Sequence, residues 1–89
     1  MSANTVNAGA VHWARQQRTG GPAEKAVLLI LAAKADPSGT CSLSTRTIAA
    51  GVDISQATAR RTLERLRNRG LVSWSSGSGR SPATYRLPL

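Results

Sequence analysis

No phenylalanine occurs among the 89 residues, and Trp13, Trp74 and Tyr85 are the only aromatic side chains. Proteins that bind single-stranded nucleic acid stack bases on exposed aromatics, so that mode is disfavoured from the start. Cysteine is reduced to Cys41, which excludes an intramolecular disulfide and a cysteine-rich metal site. His12 is the one histidine, with no second His, Cys or close pair of acids beside it. The expectation is a small packed Cys41, a surface or partly packed His12, and no bound metal or cofactor. The longest apolar run, residues 26–33, falls far short of the roughly 20 residues needed to span a bilayer. It lies inside the chain behind Arg15 and Arg18, so no cleavable signal pattern is present and a cytoplasmic protein with no membrane partner is expected. Acids are also scarce: Glu24, Asp36, Asp53 and Glu64 are scattered, and no Gly-rich loop follows a strand to cradle a phosphate. Enzyme activity is not expected.

Against those four acids stand twelve Lys and Arg, for a formal net charge of +8. Ten of the twelve are Arg, whose planar fork pairs bidentately with phosphate and with guanine. Such an excess favours a polyanionic partner, either nucleic acid or an anionic membrane. The apolar share is 40%, drawn mostly from Ala, Leu and Val. That is enough for one small domain with a thin core, taken as residues 6–89 behind a polar, disordered stretch at 1–5.

Periodicity divides this domain. Val6, Ala10, Trp13 and Ala14 share a helical spacing over 6–17, with Trp13 as the side chain that docks the segment on the body. RTGGP at 18–22 breaks it, and Pro22 suits the first turn of a second helix over 22–35. That helix is apolar nearly all round, which marks it as the central buried one, with Glu24 and Lys34 placed to suit its dipole. ADPSGT at 35–40 is a turn cluster, and 41–43 reads as a brief strand. Ser44 is a helix N-cap for a short helix ending near Val52, and Ser55 caps another that runs from 56 to 68 or 69 and stops at Gly70. LVSWS at 71–75 alternates as a strand, SGSGRSP at 76–82 is a loop with Arg80 near its tip, and 83–87 returns antiparallel.

The helix starting after Ser55 carries five arginines and one acid, yet it also carries a buried stripe. At about 100° per residue, Ala59, Thr62, Leu63 and Leu66 share one face, while Ala57, Arg61, Glu64 and Asn68 point the other way with Arg60 and Arg65 on the flanks. Ser55, Gln56, Ala57 and Thr58 are small or slender, as close approach to a groove requires. A major groove about 12 Å wide admits one helix, in which Gln56 can read adenine and Arg60 or Arg61 can read guanine or clamp a phosphate. Exposed N–H groups at the starts of both short-loop helices can bind phosphates. Arg65, Arg67 and Arg69 lie beyond the groove-reading turns, where they supply field or pair with Glu64.

The order is helix, buried helix, short helix, tight turn, basic helix and β-hairpin: α+β, mainly α, with an N-terminal helix, a three-helix core and a C-terminal wing. STRTIAAGVDISQATARRTLERLRNRGLVS at 44–73 resembles the helix-turn-helix of the winged-helix superfamily shared by GntR-type and MarR-type regulators. The stretch 22–87 is similar to the DNA-binding domain of phage and plasmid replication proteins. There a buried K-x-V-L-L-x-L-A helix, a D-x-x-G turn, S-x-x-T-x-x-R-x-L-x-x-L-x-x-x-G-L-V and a closing Y-R-L recur. The resemblance implies sequence-specific binding of double-stranded DNA, with residues 56–69 in the major groove and 76–82 on backbone or minor groove. It implies DNA contacts by Arg46, Ser55, Gln56, Ala57, Thr58, Arg60 and Arg80, to which the helix start at Ser44 and Thr45 and the groove fit of Arg61 add candidates. It also implies a bacterial, phage or plasmid source. One position departs from the pattern: Asp53 stands where the turn usually has Gly, and Asp tolerates a left-handed backbone at some strain.

Within that frame two roles compete, replication-origin binding or plasmid and phage maintenance on one side and transcriptional repression on the other. A protein-interaction winged helix is a reading of a different class, opposed by the basic outward face, because a partner surface should expose an apolar patch. Monomers binding adjacent or repeated sites, or self-association on a palindrome, are both compatible with a domain of this size.

Overall fold

In the computed structural model, which describes residues 7–74 and 84–89, four helices and three short strands follow one another. They are α1 (Ala8–Gln16), α2 (Pro22–Lys34), β1 (Thr40–Ser42), α3 (Thr45–Val52), α4 (Gln56–Asn68), β2 (Ser73–Trp74) and β3 (Thr84–Arg86). The expected disorder of 1–5, the place of Val6 in the first helix, and the loop 76–82 with Arg80 lie outside the described residues.

Helix α1 begins where Asn7 supplies a cap: its Oδ1 accepts the Ala10 N–H at 2.9 Å. The other half of the amide donates to the Asp36 carbonyl at 2.9 Å, which ties the helix start to the turn after α2. At the far end the Lys25 ammonium donates to the carbonyls of Ala14, Arg15 and Gln17, at the end where a helix lacks donors for its last carbonyls. One lysine of α2 thereby holds the carboxyl end of α1. Trp13 is half-buried against the core, as its helical spacing predicts.

Helix α2 is the hub, packed against α1, α3, α4 and β1. Val27, Leu28, Leu31 and Ala32 are wholly buried, and Ile48 of α3 and Leu66 of α4 close over them. Burying one such Leu or Ile is worth about 1.5–3 kcal/mol in transfer alone, which is how a core this poor in aromatics suffices. Where α2 ends, Asp36 builds the turn to β1: its Oδ1 accepts the Ser38 hydroxyl at 2.7 Å, the Thr40 N–H at 2.9 Å and the Ser38 N–H at 3.0 Å.

The strands form one antiparallel sheet in the order β1-β3-β2. β3 therefore pairs on both sides, with Cys41 and Trp74 each opposite Tyr85. The sequence pattern gave β3 a partner in β2; the second partner, β1, comes from the long-range closure of the Asp36 turn. Tyr85 is buried in the centre and its ring meets Trp74 edge-on, centroids 5.5 Å apart. Cys41 is buried beside it, and that burial pushes its thiol pKa up, as suits a packing residue. The architecture is the expected α+β, mainly helical, winged helix-turn-helix.

Candidate nucleic-acid interface

The turn between α3 and α4 depends on Asp53. It is the one non-glycine residue with positive φ among the described residues, at φ 60° and ψ 47°. This left-handed residue ends α3 and lets the Ile54 N–H return to the Ala49 carbonyl at 3.0 Å. Ile54 then drops against the core and Ser55 swings extended to start α4. The departure from Gly is therefore accommodated at the position the sequence marked.

The two serines that open α3 and α4 are built alike. Ser44 Oγ accepts the Thr47 N–H at 3.0 Å and lies 2.9 Å from the Thr47 hydroxyl. Ser55 Oγ accepts the Thr58 N–H at 3.0 Å and donates to Thr58 Oγ1 at 2.9 Å. Both hydroxyls are thus engaged in capping, each satisfying one of the orphan amides of its helix. The cap leaves the amides at the very start of α4 facing outward with the positive end of the helix dipole.

Beyond the cap, Gln56, Ala57, Arg60 and Arg61 are exposed, while Thr58 is half-buried. Ala59, Thr62, Leu63 and Leu66 are buried, as the 3.6-residue period requires. On α3, Arg46 is exposed in the first turn and Thr45 is half-buried beside it. Two residues of these helices bear on Tyr85 of β3. Burial raises the tyrosine pKa, while a hydrogen bond with Thr45 and the charge of Arg60 pull it down. The starts of α3 and α4 thus lie on two helices packed against each other, with the charge of Arg60 reaching the central strand. Of the sequence-selected residues, Ser44, Thr45, Arg46, Ser55, Gln56, Ala57, Thr58, Arg60 and Arg61 lie on these two helix starts and the first turns of α4.

The arginines of α4 are not equivalent. Arg61 Nη2 reaches back to Thr58 Oγ1 at 3.4 Å, a long contact that leaves most of its donors available. Arg67 lies with its guanidinium carbon 4.5 Å from the Trp74 ring centroid, a cation–π contact. Arg69 Nε donates to Glu24 Oε1 at 2.8 Å, an acceptor that also takes the Gly20 N–H at 3.0 Å. Of the two expected roles for Arg67 and Arg69, supplying field or pairing with Glu64, the pairing is corrected. Trp74 holds Arg67, because the chain turns back at Gly70, and Glu24 holds Arg69, because α4 packs on α2. Sequence periodicity carries no signal for either contact, since each joins distant elements.

Gly70 makes that reversal with φ 76°, its N–H bonded to Arg67 O at 2.9 Å and the Leu71 N–H to Leu66 O at 3.0 Å. This is the paired bonding of a Schellman C-cap, where a left-handed residue favours glycine. It fixes the carboxyl end of α4 as firmly as Ser55 fixes its start.

No helix among the described residues is long and apolar enough to cross a membrane. Nor does any group of three or more His, Cys, Asp or Glu side chains among them gather as a metal site. A helix with a small, polar first turn and a basic second turn, set against a left-handed turn and a three-stranded sheet, defines a DNA-binding protein of the helix-turn-helix class. The family model described as a helix-turn-helix domain matches residues 21–72, and the chain belongs to that family. No curated protein and no solved structure matches it.

Proposed function

We propose that the protein recognises a specific sequence of double-stranded DNA, with α4 in the major groove and residues 76–82 as a wing against the backbone or minor groove. It acts by binding, without catalysis or cofactor. The observation that carries this reading is the outward side of α4. Gln56, Ala57, Arg60 and Arg61 are exposed on the first two turns, while Arg67 and Arg69 are drawn aside to Trp74 and Glu24. Base readers are thereby separated from charges that serve the fold. Ser44 and Ser55 contribute as caps that aim helix N-termini at phosphates, and Thr45, Arg46 and Thr58 flank them. Arg80 contacts the phosphate backbone from the wing.

The resemblance of residues 22–87 to phage and plasmid replication proteins favours a role at a replication origin or in plasmid or phage maintenance, in the bacterial cytoplasm. Monomers there bind adjacent or repeated sites. Selection from a random duplex library at about 150 mM salt tests the reading. A motif bound at least about 10³-fold tighter than scrambled DNA supports it, and directly repeated motifs fit origin binding. A palindrome instead favours a dimeric transcriptional repressor. Weak, steeply salt-dependent binding to every duplex overturns sequence-specific recognition.

A further inference from the structure

Glu64 is the one acid on α4, and it sits in the middle of the face that turns away from the core, between Ala57, Arg61 and Asn68. Arg60 and Arg61 lie four and three positions before it and Arg67 three after, spacings at which helical ion pairs form. Yet among the described residues the carboxylate has no ion pair and no hydrogen bond; the single salt bridge there is that of Arg69 with Glu24. Its neighbours are turned elsewhere, Arg67 onto Trp74 and Arg61 back toward Thr58. An exposed, unneutralised carboxylate is thus held at the centre of a basic surface.

On a helix that lies along a groove, such a carboxylate is repelled by the phosphates on either side. A donor on a base edge would offset that repulsion. In the major groove the donors are the exocyclic amino groups, cytosine N4 and adenine N6, and a monodentate carboxylate suits the first. Resting on the DNA-binding reading above, we propose that Glu64 is a specificity-determining residue that accepts a hydrogen bond from the N4 amino group of a cytosine. Seven residues separate it from Ala57, a rise of about 10.5 Å along the helix. The cytosine therefore lies a few base pairs beyond those read by the first turn, in the direction in which α4 runs along the groove. The same charge discourages α4 from settling on sequences that lack the amino group.

The test is library selection run in parallel on the full chain, Glu64→Ala and Glu64→Gln, with thermal melts of all three as a folding control. The expected result is a wild-type motif containing a cytosine whose discrimination falls about tenfold in Glu64→Ala. That variant also binds scrambled duplex several-fold more tightly. Glu64→Gln moves the preference at the same position toward adenine, since an amide can pair with both N6 and N7. A merely structural glutamate would leave the motif untouched in both variants. Identical motifs from all three proteins overturn the role of Glu64 while leaving the DNA-binding reading intact. If the wild type selects no motif, both fail together.

Discussion

Arg69, the C-cap of α4, donates its Nε to Glu24 in the first turn of α2 at 2.8 Å, across 45 positions of sequence. The Glu24 side chain is 6% exposed and that of Arg69 46%, so the acid is the buried partner. Gly20 backs the pair: a Cβ there would press on the tips of both side chains, Glu24 Oε2 and Arg69 Nη2. The contact clamps the carboxyl end of α4 to the hub of the fold.

Removing one partner of such a pair strands the other. Arg69→Ala leaves the Glu24 carboxylate with only the Gly20 N–H, and should cost about 1–3 kcal/mol, less than for a wholly buried pair because Arg69 is half in solvent. Arg65→Ala, which removes an exposed charge without such a partner, should cost less than about 0.5 kcal/mol. Urea denaturation of both variants checks the difference. Equal losses would mean that the pair contributes nothing.

Asp53 holds a left-handed backbone that most side chains resist, at about 1–2 kcal/mol. Asp53→Val should therefore destabilise by about that amount, and Asp53→Gly should not destabilise at all. A valine variant that melts with the wild type would show that the turn is not left-handed in solution.

Acid should unfold the protein partly through Asp36. The Ser38 hydroxyl, then the Thr40 N–H, hold its carboxyl below the ordinary 3.8; desolvation opposes them, and the Ser38 N–H and the Arg86 charge add smaller lowering effects. A carboxylate with a lowered folded pKa stabilises the native state fully above its unfolded pKa, and that contribution disappears as pH falls through the folded value. The urea midpoint of the wild type should thus drop as pH is lowered from about 5, and Asp36→Asn should flatten that part of the profile. Parallel profiles would show that the turn does not titrate.

The sorting of arginines predicts three different phenotypes. Arg60→Ala should change base preference, with a loss of about 1–3 kcal/mol on the preferred site. Arg67→Ala should leave preference alone and lower stability by about 0.5–1 kcal/mol as Trp74 loses its cation. Arg80→Ala should weaken all duplexes evenly and reduce the salt slope by about one. Salt-dependent titrations and melts of the three variants separate these outcomes.

Most of the frame was legible because it is local. The 3.6-residue period of Ala59, Thr62, Leu63 and Leu66, the caps Ser44 and Ser55, and Gly70 each act within a turn of where they sit, and the helices end within one or two residues of the expected places. Asp53 was legible as the residue that has to turn left-handed. What escaped was long-range. The pairing of β1 with β3 depends on where the Asp36 turn delivers the chain, the partner of Arg67 on the reversal at Gly70, and that of Arg69 on the packing of α4 against α2. A count of arginines along α4 could not distinguish those available to DNA from those that hold the fold.

Chemical-shift mapping of the 15N-labelled protein on addition of its selected duplex tests the groove assignment most directly. The account predicts the largest changes at the amides of residues 55–61 and at 44–46, with small changes on the exposed side of α1 around His12 and Arg15. Changes concentrated on α1, with the start of α4 unmoved, would contradict it.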